Sequence, residues 1–552
     1  MSAEIEARRI TGPHLLGDRT GAALDVHLPD ADRRLVDAWE ASARRLLRSV
    51  GWTDETTAVA RFPGGAHLFV SAPSDSLYAA TDLAELAWRD AAGDPSDPTE
   101  VERLRSRIAR ERNPALLVLE RAANERGLTF LHDDDGVSIG SGRGAMLWPS
   151  DDLPAVEAVP WSRLGDVRIG LVTGSNGKTS TVRLTAAMAR AAGHVPGYTS
   201  TDGVAVGREI ILPTDFAGPM GARAVLRDER VTIAILETAR GGILRRGLAV
   251  RSADAAVITN IAEDHFGDFG VGSLEALLEA KLVVTRVVPP EGAVILNADD
   301  PLLRARGAEL PRVTWFSRTG SVGSPARRVT VEDDALVFNG DRRIVIAPLG
   351  DVPSAGGRAA PHEIENALAA VALALSLGIA PEAIAAALRS FDPVADNPGR
   401  GTSLELDGIR IIVDYGHNPH GLAALGNVLA TIPAERRLVL LGQAGDREDA
   451  AIVDLAASAL SLDPDHIVLK ELANYRRGRE PGEVRALLRD ALTARGFPPG
   501  AIDDAESEPE AVERALAWAR PGDLLVLLVH DERDQVLDLL RRAGARTTAG
   551  AA

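Results

Sequence analysis

The sequence predicts an α/β protein of three domains: an amino-terminal α/β domain, a central domain of P-loop type on a parallel sheet, and a carboxy-terminal Rossmann-like α/β domain. Three observations lead there. Apolar runs at Arg168–Val172, Val231–Leu236 and Ala255–Thr259, then at Ile409–Val413, Leu438–Leu441, His466–Leu469 and Leu524–Val529, each stop at polar or glycine-rich residues. Segments of helical character, such as Thr181–Ala192, Ser273–Val287 and Glu363–Leu377, separate them. Parallel strands are buried on both faces and need crossover helices, so this alternation implies covered parallel sheets. Finally, 552 residues exceed what one hydrophobic core holds together.

Taken in order, residues 1–148 form the first domain, with a short strand at Leu68–Ser71, a helix at Thr81–Ala92, and charged helical sequence at Pro98–Arg126 interrupted by Pro114. No catalytic signature falls there. Residues 149–164 (beginning Pro149-Ser150-Asp151-Asp152) have neither helical nor strand period and read as a linker. Residues 165–395 carry the first strand series and 396–552 the second, ending in a small-residue tail, Ala543–Ala552, expected to fray.

A formal charge of −18 argues against general binding to nucleic acid or membranes, whose surfaces are themselves negative. The absence of cysteine excludes disulfides, thiolate metal sites and cysteine nucleophiles. Met1–Ile10 lacks the apolar stretch of a secretory signal, and the alanine-rich run Ala367–Ala380 is broken by Ser376 and Gly378. The expectation is a soluble cytoplasmic protein.

Ligands of open parallel sheets bind beyond the carboxyl ends of the strands. Thr173-Gly174-Ser175-Asn176-Gly177-Lys178-Thr179-Ser180 stands there, after an apolar strand and before a helix. Glycines let backbone N–H groups curl around phosphate oxygens, and the helix N-terminus adds a favourable dipole. Lys178 can reach the β- and γ-phosphates, and the Thr179 hydroxyl can ligate Mg²⁺; Val172 stands where the general Walker pattern has glycine. Glu237, after Val231–Leu236, is placed to hold Mg²⁺ or its water shell. A third strand end carries Thr259-Asn260-Ile261-Ala262-Glu263-Asp264-His265. Each alone has an ordinary structural reading; three converging on one site do not.

The succession of Gly-Ser-Asn-Gly-Lys-Thr, a strand-end Glu and Asn-Ile-x-x-Asp-His resembles the Mur ligase superfamily, which includes the muramoyl-peptide ligases, folylpolyglutamate synthetase and the ligase half of cyanophycin synthetase. Thr201-Asp202-Gly203, Glu237–Arg245, Pro398-Gly399-Arg400, Asp414–Pro419 and Gly445-Asp446-Arg447 are most similar to the last of these, over roughly residues 165–535. Arg9–His14 is similar to its amino-terminal domain.

The resemblance implies an ATP-dependent ligase that joins a carboxylate to an amine through an acyl phosphate, releasing ADP and phosphate. Gly174, Ser175, Asn176, Gly177, Lys178, Thr179 and Ser180 would bind the ATP phosphates. Thr179, Glu237 and His265 would hold two Mg²⁺ ions. Lys178, His265 and Lys281 would serve catalysis, Lys281 falling where relatives carry a carbamylated lysine. Asn297 would contact adenine, although Asn and Asp are also ordinary turn formers. Arg400 and Asp414 would close from the third domain onto phosphates and ribose. The substrates would be an amino acid and a peptide-like carboxylate, and the protein partners further copies of the chain or a separate ATP-grasp ligase.

Three departures bear on substrate. Only residues 149–164 stand where cyanophycin synthetase has an ATP-grasp domain. A D-x-T-G-P-x-S-A pattern reads Asp215-Phe216-Ala217-Gly218-Pro219-Met220-Gly221-Ala222, losing two hydroxyls. The last strand ends in Val529-His530-Asp531 rather than a glycine-rich turn. Two other readings compete: an accessory nucleotide-binding partner of a separate ATP-grasp enzyme, and an ATPase that drives motion. Retention of Lys178, Glu237 and His265 argues against the accessory role.

Overall fold

The computed structural model describes residues 7–28, 33–263, 266, 268–320, 327–354 and 359–547. A four-stranded antiparallel sheet opens the fold in the spatial order Arg8–Ile10, Gly21–His27, Gly65–Ser71 and Thr57–Phe62. Helices Arg33–Ser49 and Leu77–Ala91 bury an apolar stripe against it, centred on Trp39, whose indole N–H donates to Ala84 O at 3.2 Å. Helices Pro98–Glu111 and Pro114–Glu125 follow, each with proline in its first turn and an Asp97 or Asn113 side-chain cap. A small antiparallel sheet, Phe130–His132, Gly136–Ile139 and Met146–Pro149, ends this region. Residues 149–164 then carry two 3₁₀ turns, and Val159 and Trp161 pack against Leu119 and Ile139.

The central domain is an eleven-stranded sheet. Its parallel part runs Pro196–Ser200, Ile233–Glu237, Arg168–Thr173, Ala255–Ile258, Ala293–Asn297, Val313–Ser317 and Arg328–Glu332. Antiparallel strands extend both edges, Gly203–Val206 and Glu209–Leu212 on one side, Ala335–Asn339 and Arg343–Pro348 on the other. Strand Arg168–Thr173 lies between Ile233–Glu237 and Ala255–Ile258, so three carboxyl ends emerge side by side. The alanine-rich segment is helix Pro361–Ser376, buried beside helices Lys178–Ala191 and Pro381–Ser390. Its small side chains allow this close approach. Among the described residues no helix is long and apolar enough to cross a membrane.

The carboxy-terminal sheet has the order Ile502–Ala505, His466–Lys470, Arg437–Leu441, Leu524–Leu528, Ile409–Asp414, Thr402–Leu406 and Arg546–Thr547, parallel through the first five. Beneath its carboxyl ends lies a buried ion pair, Lys470 with Glu508, both side chains 0% exposed. Lys470 Nζ also meets Leu528 O and, at 3.0 Å, His530 Nδ1. Glu508 accepts the backbone N–H groups of His530, Asp531 and Glu532, which fixes the Val529-His530-Asp531 turn. Burial opposes ionisation of Glu508, but Lys470, His530 and these N–H donors hold its pKa down to about 2.

A depressed carboxyl pKa contributes stability that is complete above the unfolded value, near 4.5, and lost as pH falls toward about 2. Glu508→Gln, which strands Lys470 beside a neutral amide, should cost about 3–5 kcal/mol in urea unfolding at pH 7. The gap between parent and variant should narrow below pH 4.5. An equal gap at pH 3 and pH 7 would show that charge pairing is not its source.

Candidate active site

A cavity with a volume of about 1800 Å³ draws its walls from all three domains. Ser175–Ser180 of the expected phosphate loop line it. Gly177 (φ +83°) begins helix Lys178–Ala191, and a Cβ there would stand 2.1 Å from Asn366 Oδ1. At Gly174 (φ +145°) a Cβ would stand 1.8 Å from Thr259 Oγ1. Both positions require glycine on conformation and on space. With the loop so cradled, Lys178 Nζ donates to Gly174 O at 3.0 Å and Ser175 O at 2.9 Å, within the curl a phosphate would occupy.

The neighbouring strand end braces this loop. Ser175 N donates to Asn260 O and Asn176 N to Asn260 Oδ1, both at 2.9 Å. Thr259 Oγ1 donates to Asn176 O at 2.6 Å. Asn260, read from the sequence only as part of a motif, therefore shapes the phosphate loop directly.

Glu237 is the last residue of its strand, 1% exposed. Its Oε2 accepts from Thr179 Oγ1 at 2.8 Å, and Thr179 Oγ1 lies 3.1 Å from Thr201 Oγ1. Oε1 has no hydrogen-bond partner among the described residues. Burial raises this carboxyl's pKa above its ordinary value despite the opposing pull of Lys178. A buried carboxylate with an orphaned oxygen beside a threonine hydroxyl is an oxygen donor set that suits a hard divalent cation. His265 lies outside the described residues. Lys281, 2% exposed, points its Nζ at Gly174 O, 2.8 Å away. Ser180 lies one residue further along the helix and accepts from Asn397 Nδ2 at 3.2 Å.

Asn297 does not line the cavity. Its amide is used internally, Nδ2 donating to Thr259 O at 3.0 Å and Oδ1 accepting from Asp299 N at 2.9 Å. Arg400 and Asp414 do line it. Arg400 stacks over Tyr415 at 3.9 Å and donates to Thr201 Oγ1 at 2.9 Å. Asp414 accepts from Gly401 N at 2.7 Å and Gly416 N at 2.8 Å, shaping the loops around it.

The third domain also reaches the phosphate loop through two residues the sequence left unassigned. Asn418 Nδ2 donates to Asn176 Oδ1 at 3.1 Å, and His420 Nδ1 lies 2.9 Å from Asn176 Nδ2. Asp202 joins the domains more strongly, pairing with Arg183 (2.9 Å), Arg533 (2.5 Å) and Arg400 (3.6 Å). Although burial opposes its charge, the three guanidinium groups hold its carboxyl below the usual range. The connection between the domains is pinned too: Arg183 donates to Asn397, and Arg190 and Arg208 pair with Asp396. Asp215, Phe216, Ala217 and Gly218 form another wall. At Gly221 a Cβ would stand 2.2 Å from Phe216 O, so serine does not fit there without movement.

Comparison with known proteins matches residues 172–374 to the Mur ligase middle domain and residues 399–528 to the Mur ligase glutamate ligase domain. Cyanophycin synthetase of Geminocystis herdmanii is 36% identical over 396 residues, 69% of this chain and 45% of that protein. The enzyme of Synechocystis sp. is 34% identical over 396 residues, with the same shares. The chain thus spans less than half the length of these relatives. UDP-N-acetylmuramoyl-L-alanyl-D-glutamate–2,6-diaminopimelate ligase of Geobacter metallireducens is 28% identical over 76% of this chain and 82% of that one. Among solved structures, E. coli FolC in complex with ADP has the same fold (TM-score 0.51, 21% identity), covering 68% of this chain and 90% of that one.

The Asp202–Arg533 pair spans the domain boundary, so Arg533→Ala should loosen closure. Small-angle scattering should give a larger radius of gyration, and limited proteolysis faster cleavage near residues 391–401. An unchanged radius and cleavage rate would mean that the other contacts alone hold the domains together.

Proposed function

The chain belongs to the Mur ligase superfamily, and from that premise we propose that it is an ATP-dependent ligase forming an amide bond between an acceptor carboxylate and an amino acid through an acyl phosphate. The observation that carries this reading is the cavity itself. A glycine-built loop with Lys178, a buried Glu237 with an oxygen unpartnered among the described residues, and Arg400 of the carboxy-terminal domain line one space.

A carboxylate does not accept an amine near neutral pH because oxide is a poor leaving group. Transfer of the γ-phosphoryl group to the carboxylate oxygen breaks the bond to ADP and makes a mixed anhydride, whose phosphate then leaves readily. Little covalent work falls to the protein in such a transfer; positioning and charge stabilisation dominate. Because the Ser175 and Asn176 N–H groups are engaged by Asn260, the N–H groups that open helix Lys178–Ala191 would hold the phosphates, with Lys178 exchanging its carbonyl partners for phosphate oxygens. Arg400 sets a second positive charge near Glu237. Thr179 and Glu237, with His265 at the third strand end, would hold Mg²⁺, which supplies charge neutralisation at the phosphates. The amine attacks the acyl carbon, its proton passes to solvent or buffer, and phosphate departs. Closure through Asp202 and Asn418 keeps water from the anhydride.

Lys281 is buried, its amine 2.8 Å from Gly174 O. A neutral amine is what CO₂ requires, and we infer that Lys281 is carbamylated in the working enzyme.

Phosphate release should need ATP, Mg²⁺, a carboxylate acceptor and an amino acid together, and chelation of the metal should stop it. Hydroxylamine should trap the acyl phosphate as a hydroxamate. Lys178→Ala should lower turnover about 10³-fold with its thermal transition unchanged. Turnover without an acceptor would instead point to an ATPase. For Lys281, intact-mass spectra taken in bicarbonate without acid should carry the increment of one CO₂, absent from Lys281→Ala. An unchanged mass in bicarbonate would remove the carbamate.

A further inference from the structure

Beyond the nucleotide end, the cavity extends to a cluster of arginines that the catalytic reading leaves unused. Arg9 comes from the first strand, Arg223 from helix Pro219–Leu226, and Arg245 and Arg246 from the last turn of helix Arg240–Arg246. All four line the cavity. The only carboxylate partners of this group among the described residues are Asp133, 3.2 Å from Arg223, and the exposed Asp134, 3.8 Å from Arg9. Arg246 donates to the backbone oxygen of Arg9 at 3.2 Å, and Arg245 lies 5.7 Å from the Phe269 ring centre. Burial and the like charges of Arg9 and Arg245 lower the pKa of Arg246, so these cations repel one another as they stand.

The acidic residues nearby do not relieve this. Glu111 is taken by Arg107 and by the N–H groups of Tyr78 and Ala79. Asp75 accepts from Asn113 N and Ser76 Oγ. Asp133 also binds Arg227, at 2.6 Å. In a chain of net charge −18, four arginines gathered at one end of a cavity with so little compensation form a site built for anionic oxygens, which guanidinium forks bind two at a time.

Helix Arg240–Arg246 follows the strand that ends at Glu237 and, at seven residues, spans about 10 Å. Arg245 and Arg246 therefore stand roughly one such helix length from Glu237. Resting on the ligase reading above, we propose that Arg9, Arg223, Arg245 and Arg246 hold the non-reacting end of the acceptor, and that this end carries at least two anionic groups, carboxylates or phosphates. The reacting carboxylate of the same molecule then extends to Lys178.

The test is equilibrium binding to the full-length chain with ADP filling the phosphate loop, so that no chemistry occurs. Fluorescent tetra-aspartate, a tetrapeptide of phosphoserine and tetra-asparagine are titrated in turn. One anionic peptide should bind at least about 10-fold more tightly than tetra-asparagine and weaken as salt is raised. Arg245→Gln combined with Arg246→Gln should remove that advantage while ADP affinity and the thermal transition stay as in the parent. Preference for aspartate or phosphoserine identifies the source of the anionic groups. Failure of both anionic peptides to bind, or binding indifferent to the double substitution, overturns the proposal. ADP binding measured on the same parent sample separates the two readings: if ADP binds and the peptides do not, the acceptor site falls and the nucleotide site stands.

Discussion

Thr259 and Asn260 hold the phosphate loop from the side, and the two glycines of that loop approach Thr259 and Asn366 too closely for any Cβ. The shape of the loop is thus set by neighbours on two other segments, not by the eight residues of the motif alone. A loop held this way has its shape before any nucleotide arrives. Such preorganisation keeps the protein from spending binding energy on reshaping itself as charge moves. Glu237 and Lys281 then take their places relative to a fixed floor, one through Thr179 and the other through Gly174 O.

Closure depends on a different arrangement. Asp202 stands at the tip of the strand beside Glu237 and collects guanidinium groups from both the central and the carboxy-terminal domains. A buried carboxylate with three cationic neighbours stays ionised, so the contact between the domains is electrostatic and directional rather than apolar. An apolar seam would hold the domains together irrespective of ligand. A few charged and amide contacts, at Asp202, Asn176 and Asn397, suit an interface that must open to exchange nucleotide and close to exclude water.

Much of the catalytic end was legible in the sequence because its constraints are local. The order Gly-Lys-Thr between a strand and a helix, and Glu237 at a strand end, are short-range patterns whose geometry follows from the elements that carry them. The parallel strands were legible too, since burial on both faces leaves a continuous apolar run. The antiparallel edges at 203–212 and 335–348 were not, because their alternation is weak and their partners are set by the sheet they extend. Asn260, Asn418, His420 and Arg533 act across large sequence separations; the first two stand in visible motifs that do not reveal their partners, and nothing in the surroundings of His420 and Arg533 marks them. Asn297 shows the converse: its motif is visible, yet both ends of its amide are committed to Thr259 and Asp299 inside the protein. His265, on which part of the metal reading rests, lies outside the described residues.

The charge of the molecule adds a constraint of its own. A surface of net charge −18 repels an anionic substrate at long range, and ATP and an acidic acceptor are both anionic. Salt limits that repulsion to about 8–10 Å under physiological conditions. Inside the cavity the ordering reverses: Lys178 and Arg400 stand at the proposed nucleotide end, and Arg9, Arg223, Arg245 and Arg246 also line the cavity. Low-dielectric walls strengthen each of these charges relative to those on the surface. Discrimination for anions then arises only once a ligand has entered and shed its water, which is where the proposed ligase, building a hydrolysable anhydride, would need it. On the proposed reading, two positive ends of one cavity would each seat a negative ligand, and the reacting carboxylate and the γ-phosphate would meet between them.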